Sequence, residues 1–256
     1  VKWKNRFHEK RALQNANAHI SVSRFTAKQT NTIFSLDIDF KIIPNCINTE
    51  NFQPSTVEKI KPKSILYLGT LIRKKGLLDI PHIFNYIIQK EPEAELILIG
   101  KDASDIKTGQ ASTWELIKPL FSQDAIKQVF YQGKVPYEEV QKHIQKADVC
   151  IFPSYAEALP VSWLEAMAMQ KAVVASDIGW AKEVIVHGES GLLAHPAHHQ
   201  EFAEHILKLF KNPELKNNLE KNARDKIVKE FDYKVIAEKS VEFYTSVIQK
   251  SKADGK

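Results

Sequence analysis

Short apolar runs alternate with amphipathic stretches along most of this 256-residue chain. The runs are HISVS (19–23), FKIIP (40–44), SILYLGT (64–70), AELILIG (94–100), QVFYQG (128–133), DVCIFPS (148–154), KAVVAS (171–176) and GLLAHP (191–196). Most are near-continuously apolar and rich in β-branched residues, without strict apolar–polar alternation. That is what a strand buried on both faces requires, as in a parallel sheet covered by helices. The stretches between them, such as GLLDIPHIFNYIIQK (76–90), YEEVQKHIQKA (137–147) and PVSWLEAMAMQ (160–170), read as helices. Strand and helix in repeated succession predict an α/β fold with a doubly wound parallel sheet.

The glycines support this reading. There are nine, and most fall where a strand ends or a helix begins, among them Gly69, Gly76, Gly100, Gly133, Gly179 and Gly191. In open parallel sheets the ligand crevice lies at the strand carboxyl ends, where several of these stand. Residues 1–48 differ: two helices and two short strands are too few to close a core, so they read as the tail of another α/β unit. A linker rich in Asn, Pro and Ser follows at 49–63, then the main α/β unit at 64–231, and a last helix at 232–256. From residue 198 onwards the pattern is helical. The opening VKWKNRFHEKR has no apolar core for a secretory signal and no initiator Met, which suggests a piece of a longer chain.

Composition excludes several classes. The formal net charge is +5, but the lysines are scattered among Glu and Asp, unlike the clustered basic residues and interleaved aromatics of a nucleic-acid surface. No apolar run approaches the roughly 18 residues needed to span a bilayer. Cys46 and Cys150 lie far apart and without clustered partners, as expected of reduced thiols in a cytoplasmic protein. His195, His198 and His199 stand close together, but in a Pro/Ala turn without Cys, so a polar surface turn is expected there in preference to a metal site. No G-x-S-x-G nucleophile elbow is present.

Three segments carry candidate chemistry. In YAEALPVSWLEAMAMQ (155–170), Pro160 suits the first turn of a helix, because its missing N–H would be unpaired anyway. The residue before a proline is pushed to extended geometry, which leaves Leu159 outside the helix. Glu157 then lies in the loop at the helix mouth and Glu165 more than one turn inside. Ala158 and Leu159 offer no side-chain cap, so the first backbone N–H groups are open to an anionic or hydroxyl-bearing ligand. The plain alternative is an amphipathic helix with two surface glutamates. In YLGTLIRKKGLLDI (67–80) a strand ends at Gly69 and a short basic loop with Arg73, Lys74 and Lys75 precedes Gly76. Arg offers a planar fork and Lys a mobile charge to phosphate oxygens, though a solvated basic turn has the same composition. In SDIGWAKEVIVHGESGLLAHP (176–196) a loop before a helix carrying Glu183 can close on a sugar or phosphate, or be an ordinary strand–helix–strand unit.

Taken in order, these segments resemble one known family. The pattern is PN-x-I with a later Phe (Pro44, Asn45, Ile47, Phe52), then a Gly with a later KG (Gly69, Lys75, Gly76). E-x7-E follows (Glu157, Glu165), and then G-(x)n-EVI-(x)n-G-x-x-GLL-(x)n-P from Gly179 to Pro196. From about residue 9 to about residue 245 the chain is similar to a family 4 retaining glycosyltransferase of the GT-B fold. It matches the Rossmann-like donor-binding C-terminal half and the end of the N-terminal, acceptor-side domain.

The resemblance implies transfer of a hexose from a nucleotide-sugar donor (UDP- or GDP-linked) to a glycan or glycolipid acceptor, with retention and no required metal or other cofactor. Arg73 and Lys75 would hold the diphosphate. Glu157 would hold sugar hydroxyls or orient its loop, and Glu165 would accept hydrogen bonds from the ribose. Gly69, Thr70, Val135, Ala158, Leu159 and Pro160 would line the donor site, with Gly133–Val135 packing on the nucleobase. The final helix would cross back to the first domain, and peripheral membrane contact would go through that domain, at the inner face of the membrane. Against the family pattern, Thr70 stands where Arg is common, Cys46 and Ala158 where Gly is common, and Trp180 where a second Gly is common. Trp180 can wall the sugar pocket or simply pack. The alternatives are a donor-binding module without turnover and a GT-B nucleotide-sugar epimerase.

Overall fold

The computed structural model describes residues 3–55 and 59–253. The N-terminal part holds α1 (Trp3–Asn15), β1 (Ile20–Ser21), α2 (Arg24–Phe34) and β2 (Lys41–Ile42), with β1 and β2 paired in parallel. This is the helix–strand–helix–strand order that residues 1–48 suggest, although each strand is only two residues long.

The main unit is built from β3 (Ser64–Leu68), α3 (Ile80–Lys90), β4 (Glu95–Ile99), α4 (Thr113–Ile117), β5 (Val129–Tyr131), α5 (Tyr137–Lys146), β6 (Val149–Phe152), α6 (Val161–Ala168), β7 (Ala172–Ser176), α7 (Ala181–Val184) and β8 (Leu192–Ala194). Helices α8 (His199–Lys211), α9 (Pro213–Glu230) and α10 (Tyr233–Ala253) complete the chain. The strands form one parallel sheet in the order β5-β4-β3-β6-β7-β8. The chain moves outward from β3 to β5, then returns to the other side of β3 with β6. The fold is therefore a Rossmann-like doubly wound sheet whose order reverses between β3 and β6.

Both faces of the sheet are buried at β6, β7 and β8 and nearly so at β3, which explains the near-continuous apolar runs there, while Phe130 of the edge strand β5 is exposed. In β3, Ile65 and Tyr67 enter one core while Leu66 enters the other. Val149 and Ile151 of β6 side with the first, and Cys150 and Phe152 with the second. The first core is closed by α3, whose Ile80, Ile83, Phe84, Ile87 and Ile88 follow a helical stripe, and by Phe202, Ile206 and Leu209 of α8. The second is closed by Trp163, Leu164 and Met167 of α6 and by Ala223 and Ile227 of α9. Burying one such large apolar side chain contributes roughly 1.5–3 kcal/mol. Cys46 is exposed and Cys150 buried, both as free thiols, and burial pushes the Cys150 thiol up to about 12.

Two helix starts differ from the sequence expectation. The helix expected at 76–90 begins at Ile80, because Gly76 adopts the left-handed conformation (φ 75°) and ends a 3-10 turn at Arg73–Lys75. A Cβ at Gly76 would lie 1.9 Å from the Pro153 carbonyl oxygen, so the turn after β3 and the strand end after β6 meet where only glycine fits. The helix expected from Pro160 begins at Val161. Pro160 is its cap, with an extended ψ of 122°, and Leu159 lies outside as expected.

The segment around 47–52 is packed. Ile47 forms a parallel bridge with Asp232, and Thr49 donates its hydroxyl to the Asp232 carboxylate at 2.5 Å. Arg224 of α9 donates to the carbonyls of Thr49, Phe52 and Ala168. Among the described residues no helix is long and apolar enough to cross a membrane.

Candidate active site

In open α/β sheets the point where strand order reverses is where a ligand crevice lies, and here the loops after β3 and β6 stand at that point. The loop after β3 carries Gly69, Thr70, Arg73 and Lys75. The loop after β6 carries Glu157, Ala158, Leu159 and Pro160, and leads into α6 with Glu165. The two loops are tied by the Tyr155 amide, which donates to the Lys74 carbonyl at 2.8 Å.

Lys75 and Glu157 meet across this junction, Nζ to Oε1, at 3.2 Å. Both side chains are largely covered, with 22% and 15% of their surface exposed, so the pair is only partly screened by solvent. The Lys75 ammonium lies beside Gly69, and Tyr67 beneath it donates its hydroxyl to the Thr70 carbonyl at 3.0 Å. Burial, with the Glu157 charge, holds the Tyr67 phenol well above its usual range, so it stays a neutral donor.

Arg73 turns elsewhere. Its guanidinium grips Asp105 in a two-pronged pair, Nε to Oδ1 at 2.8 Å and Nη2 to Oδ2 at 2.7 Å. Arg73 and the Thr108 hydroxyl together hold the Asp105 carboxyl far below the usual carboxylate range. Nothing in the sequence pointed to Asp105, which lies 32 residues from Arg73 in an irregular loop.

Glu165 is buried within α6, only 5% exposed, and accepts a hydrogen bond from the Tyr137 hydroxyl at 2.9 Å. Burial raises its pKa, and the tyrosine bond opposes part of that rise. Tyr137 starts α5, directly after the Gly133–Val135 turn in which Gly133 has φ 71°. Val135 packs against the same core as Leu159 and Leu164, so α5 and α6 meet at this end of the sheet. Tyr137 is 59% exposed above a buried acid, a role no sequence spacing could reveal.

The loop at the mouth of α6 is held from the N-terminal part. The Ala158 carbonyl faces the hydroxyls of Ser23 and Thr26 at 3.2 and 3.5 Å, and the Leu159 carbonyl accepts from Asn45 Nδ2 at 2.8 Å. Glu183 of α7 accepts from the amides of Arg24 and Phe25, each at 2.9 Å, and so caps α2 from the far side. Trp180 is buried and packs against Phe25 and Trp163, so packing is what it does here.

The histidines form a separate group. His199 bonds Asp79 at 2.8 Å and stacks on His82, while His198 pairs with Glu201. Among the described residues no group of three or more His, Cys, Asp or Glu is arranged to hold a metal ion.

Comparison with known proteins bears on this arrangement. The family model described as "Glycosyl transferases group 1" matches residues 48–226. Alpha-maltose-1-phosphate synthase of Mycolicibacterium smegmatis is 28% identical over 197 residues, covering 72% of this chain and 48% of that protein. An uncharacterized glycosyltransferase of Methanocaldococcus jannaschii is 30% identical over 196 residues, covering 75% and 47%. The chain thus spans about half the length of these relatives. Among solved structures, sucrose-phosphate synthase of Thermosynechococcus elongatus superposes with a TM-score of 0.83 at 25% identity, over 97% of this chain and 62% of that one. HepE of Anabaena, solved in complex with UDP-glucose, gives 0.80 at 21%, over 96% and 68%. The strand order and the match over most of the sheet agree: the chain belongs to the group 1 glycosyl transferases and carries the C-terminal half of the GT-B fold.

Proposed function

We propose that this chain binds the nucleotide-sugar donor of a hexosyltransferase. The reaction moves the sugar to a glycan or glycolipid acceptor, with retention of anomeric configuration and without a metal ion. The observation that carries this is the Lys75–Glu157 contact at the sheet's reversal point, with Glu165 further along the helix that Glu157 precedes. The crevice at such a point is where open α/β sheets hold nucleotides.

Each group has a task suited to its chemistry. Glu165 accepts hydrogen bonds from the ribose hydroxyls, which its two oxygens can do together. Lys75 carries the positive charge that stabilises the diphosphate as it leaves, commonly the largest contribution to such transfers. Arg73, neutralised by its pair with Asp105, reaches the diphosphate only by exchanging that carboxylate for phosphate oxygens. Glu157 holds sugar hydroxyls and keeps Lys75 in position. Gly69 and Thr70 line the diphosphate end, and Val135 borders the nucleobase. Ala158, Leu159 and Pro160 border the sugar. The UDP-glucose complex of the Anabaena neighbour supports a nucleotide-sugar donor, and the synthases among the relatives support a hexose.

Residues 1–48 are assigned to an acceptor-side domain, 49–63 to the connection, 64–231 to the donor domain and 232–256 to a helix returning to the first. Val241, Tyr244 and Ile248 form an exposed apolar stripe on α10, the face such a return would cover. Donor binding is ascribed to this chain, and transfer to the chain together with a complete acceptor-side domain.

A thermal-melt screen with UDP, GDP, ADP and their glucose conjugates tests the reading. At least one nucleotide should raise the melting temperature through mass action. No shift with any of them would remove the basis for a donor site.

A further inference from the structure

In a trans peptide unit the C=O and the N–H point in opposite directions. The unit joining Ala158 to Leu159 has its carbonyl turned towards the Ser23 and Thr26 hydroxyls of α2. Its N–H, which belongs to Leu159, is therefore turned away from α2. Among the described residues the amides of Ala158 and Leu159 have no hydrogen-bond partner. The next carbonyl, that of Leu159, is taken by Asn45, and the following residue is Pro160, which has no N–H. Both carbonyls at the mouth of α6 are thus held by side chains of the N-terminal part, and the Leu159 N–H is left facing away from α2.

The hold is braced. Ser23 is fully buried and caps α2 by accepting from the Thr26 amide at 3.0 Å. Glu183 fixes the same helix end through the Arg24 and Phe25 amides. Gly179 (φ 52°) lets α2 come this close, since a Cβ there would lie 2.7 Å from the Phe25 ring. The hydroxyls and Asn45 are accordingly fixed relative to the loop.

We propose that Ser23, Thr26 and Asn45 are positioning residues for the donor: by holding the carbonyls of Ala158 and Leu159 they aim the Leu159 N–H at hydroxyls of the donor sugar. This deepens the donor-site reading above and rests on it. It assigns part of sugar recognition to side chains outside the donor-binding unit, through backbone they do not share.

The test compares ligands with and without the sugar. Calorimetric titration of this chain with UDP, GDP, ADP and their glucose conjugates identifies which nucleotide binds, and that pair is then titrated into Ser23→Ala/Thr26→Val and, separately, Asn45→Ala. Each variant should lose roughly five- to tenfold in affinity for the sugar conjugate, the range expected for one or two lost hydrogen bonds, while binding the free diphosphate within about twofold of wild type. Thr26→Ser, which keeps the hydroxyl and leaves the buried Ser23 cap untouched, should bind both as wild type does. Asn45→Ala leaves the α2 cap untouched and so covers the case in which the double variant does not fold. Equal affinity of both variants for the conjugate, or an equal loss for conjugate and free diphosphate, overturns the proposal. If wild type binds no member of the panel, the donor site itself fails, and the positioning role falls with it.

Discussion

Glu165 is an acid kept where burial works against its charge. The folded state holds the proton more tightly than the unfolded chain does. The sign follows from linkage: this group's contribution to stability is greatest at low pH and is lost as pH rises from the usual carboxylate range through its raised folded value. Glu165→Gln should therefore melt higher than wild type at pH 7, with the difference vanishing near pH 4, while nucleotide affinity falls at least tenfold. Melting curves across that range, paired with calorimetry, check both halves. Asp105 has the opposite sign. Its carboxyl is held below the usual range, so it stabilises the fold at neutral pH and loses that contribution as the pH drops. Asp105→Asn should lower the melting temperature at pH 7, and the deficit should start to shrink only below the ordinary carboxylate range and persist until the pH falls through the lowered folded value. The E-x7-E spacing made both glutamates visible in the sequence. Their partners were not visible, because Tyr137 lies 28 residues from Glu165 and Asp105 sits in a loop with no periodicity to mark it.

At the scale of elements, the candidate site depends on how closely two strand ends approach. Gly76 stands between them at a positive φ, with the Pro153 carbonyl where a side chain would go. Gly76→Ala should cost more than about 2 kcal/mol, from strain and displaced backbone together, and denaturant unfolding would measure it. Arg224 ties α9 to the segment after β2 and to the end of α6 through three carbonyls. Arg224→Ala should destabilise by roughly 2–3 kcal/mol, since those carbonyls lose a charged donor in a half-buried site. The regular elements were legible because burial on both faces writes an unmistakable apolar run, and α3 and α8 write a helical stripe. Their starts were less so. Gly76 closes a turn where it was expected to open a helix, and Pro160 keeps an extended ψ that delays α6 by one residue. Both are choices of backbone conformation that composition leaves open.

For the whole molecule, the decisive feature is where the sheet reverses. Eight strand-like runs predicted a doubly wound fold, but not which strands are neighbours. It is the adjacency of β3 and β6 in the order β5-β4-β3-β6-β7-β8 that brings the loops at 69–75 and 153–160 together. The docking of α2 on the α6 mouth was equally hidden, since Ser23 and Ala158 are 135 residues apart. That docking joins the two units through the very loop proposed to hold the sugar. The central claim is that Lys75, Glu157 and Glu165 together clasp an activated sugar. Its most direct test is isothermal titration of the nucleotide-sugar selected by the melt screen into wild type, Lys75→Ala and Glu165→Ala. Saturable 1:1 binding by wild type, weakened tenfold or more in each variant while the variants remain folded, is the predicted result. Variants that bind as tightly as wild type would contradict it.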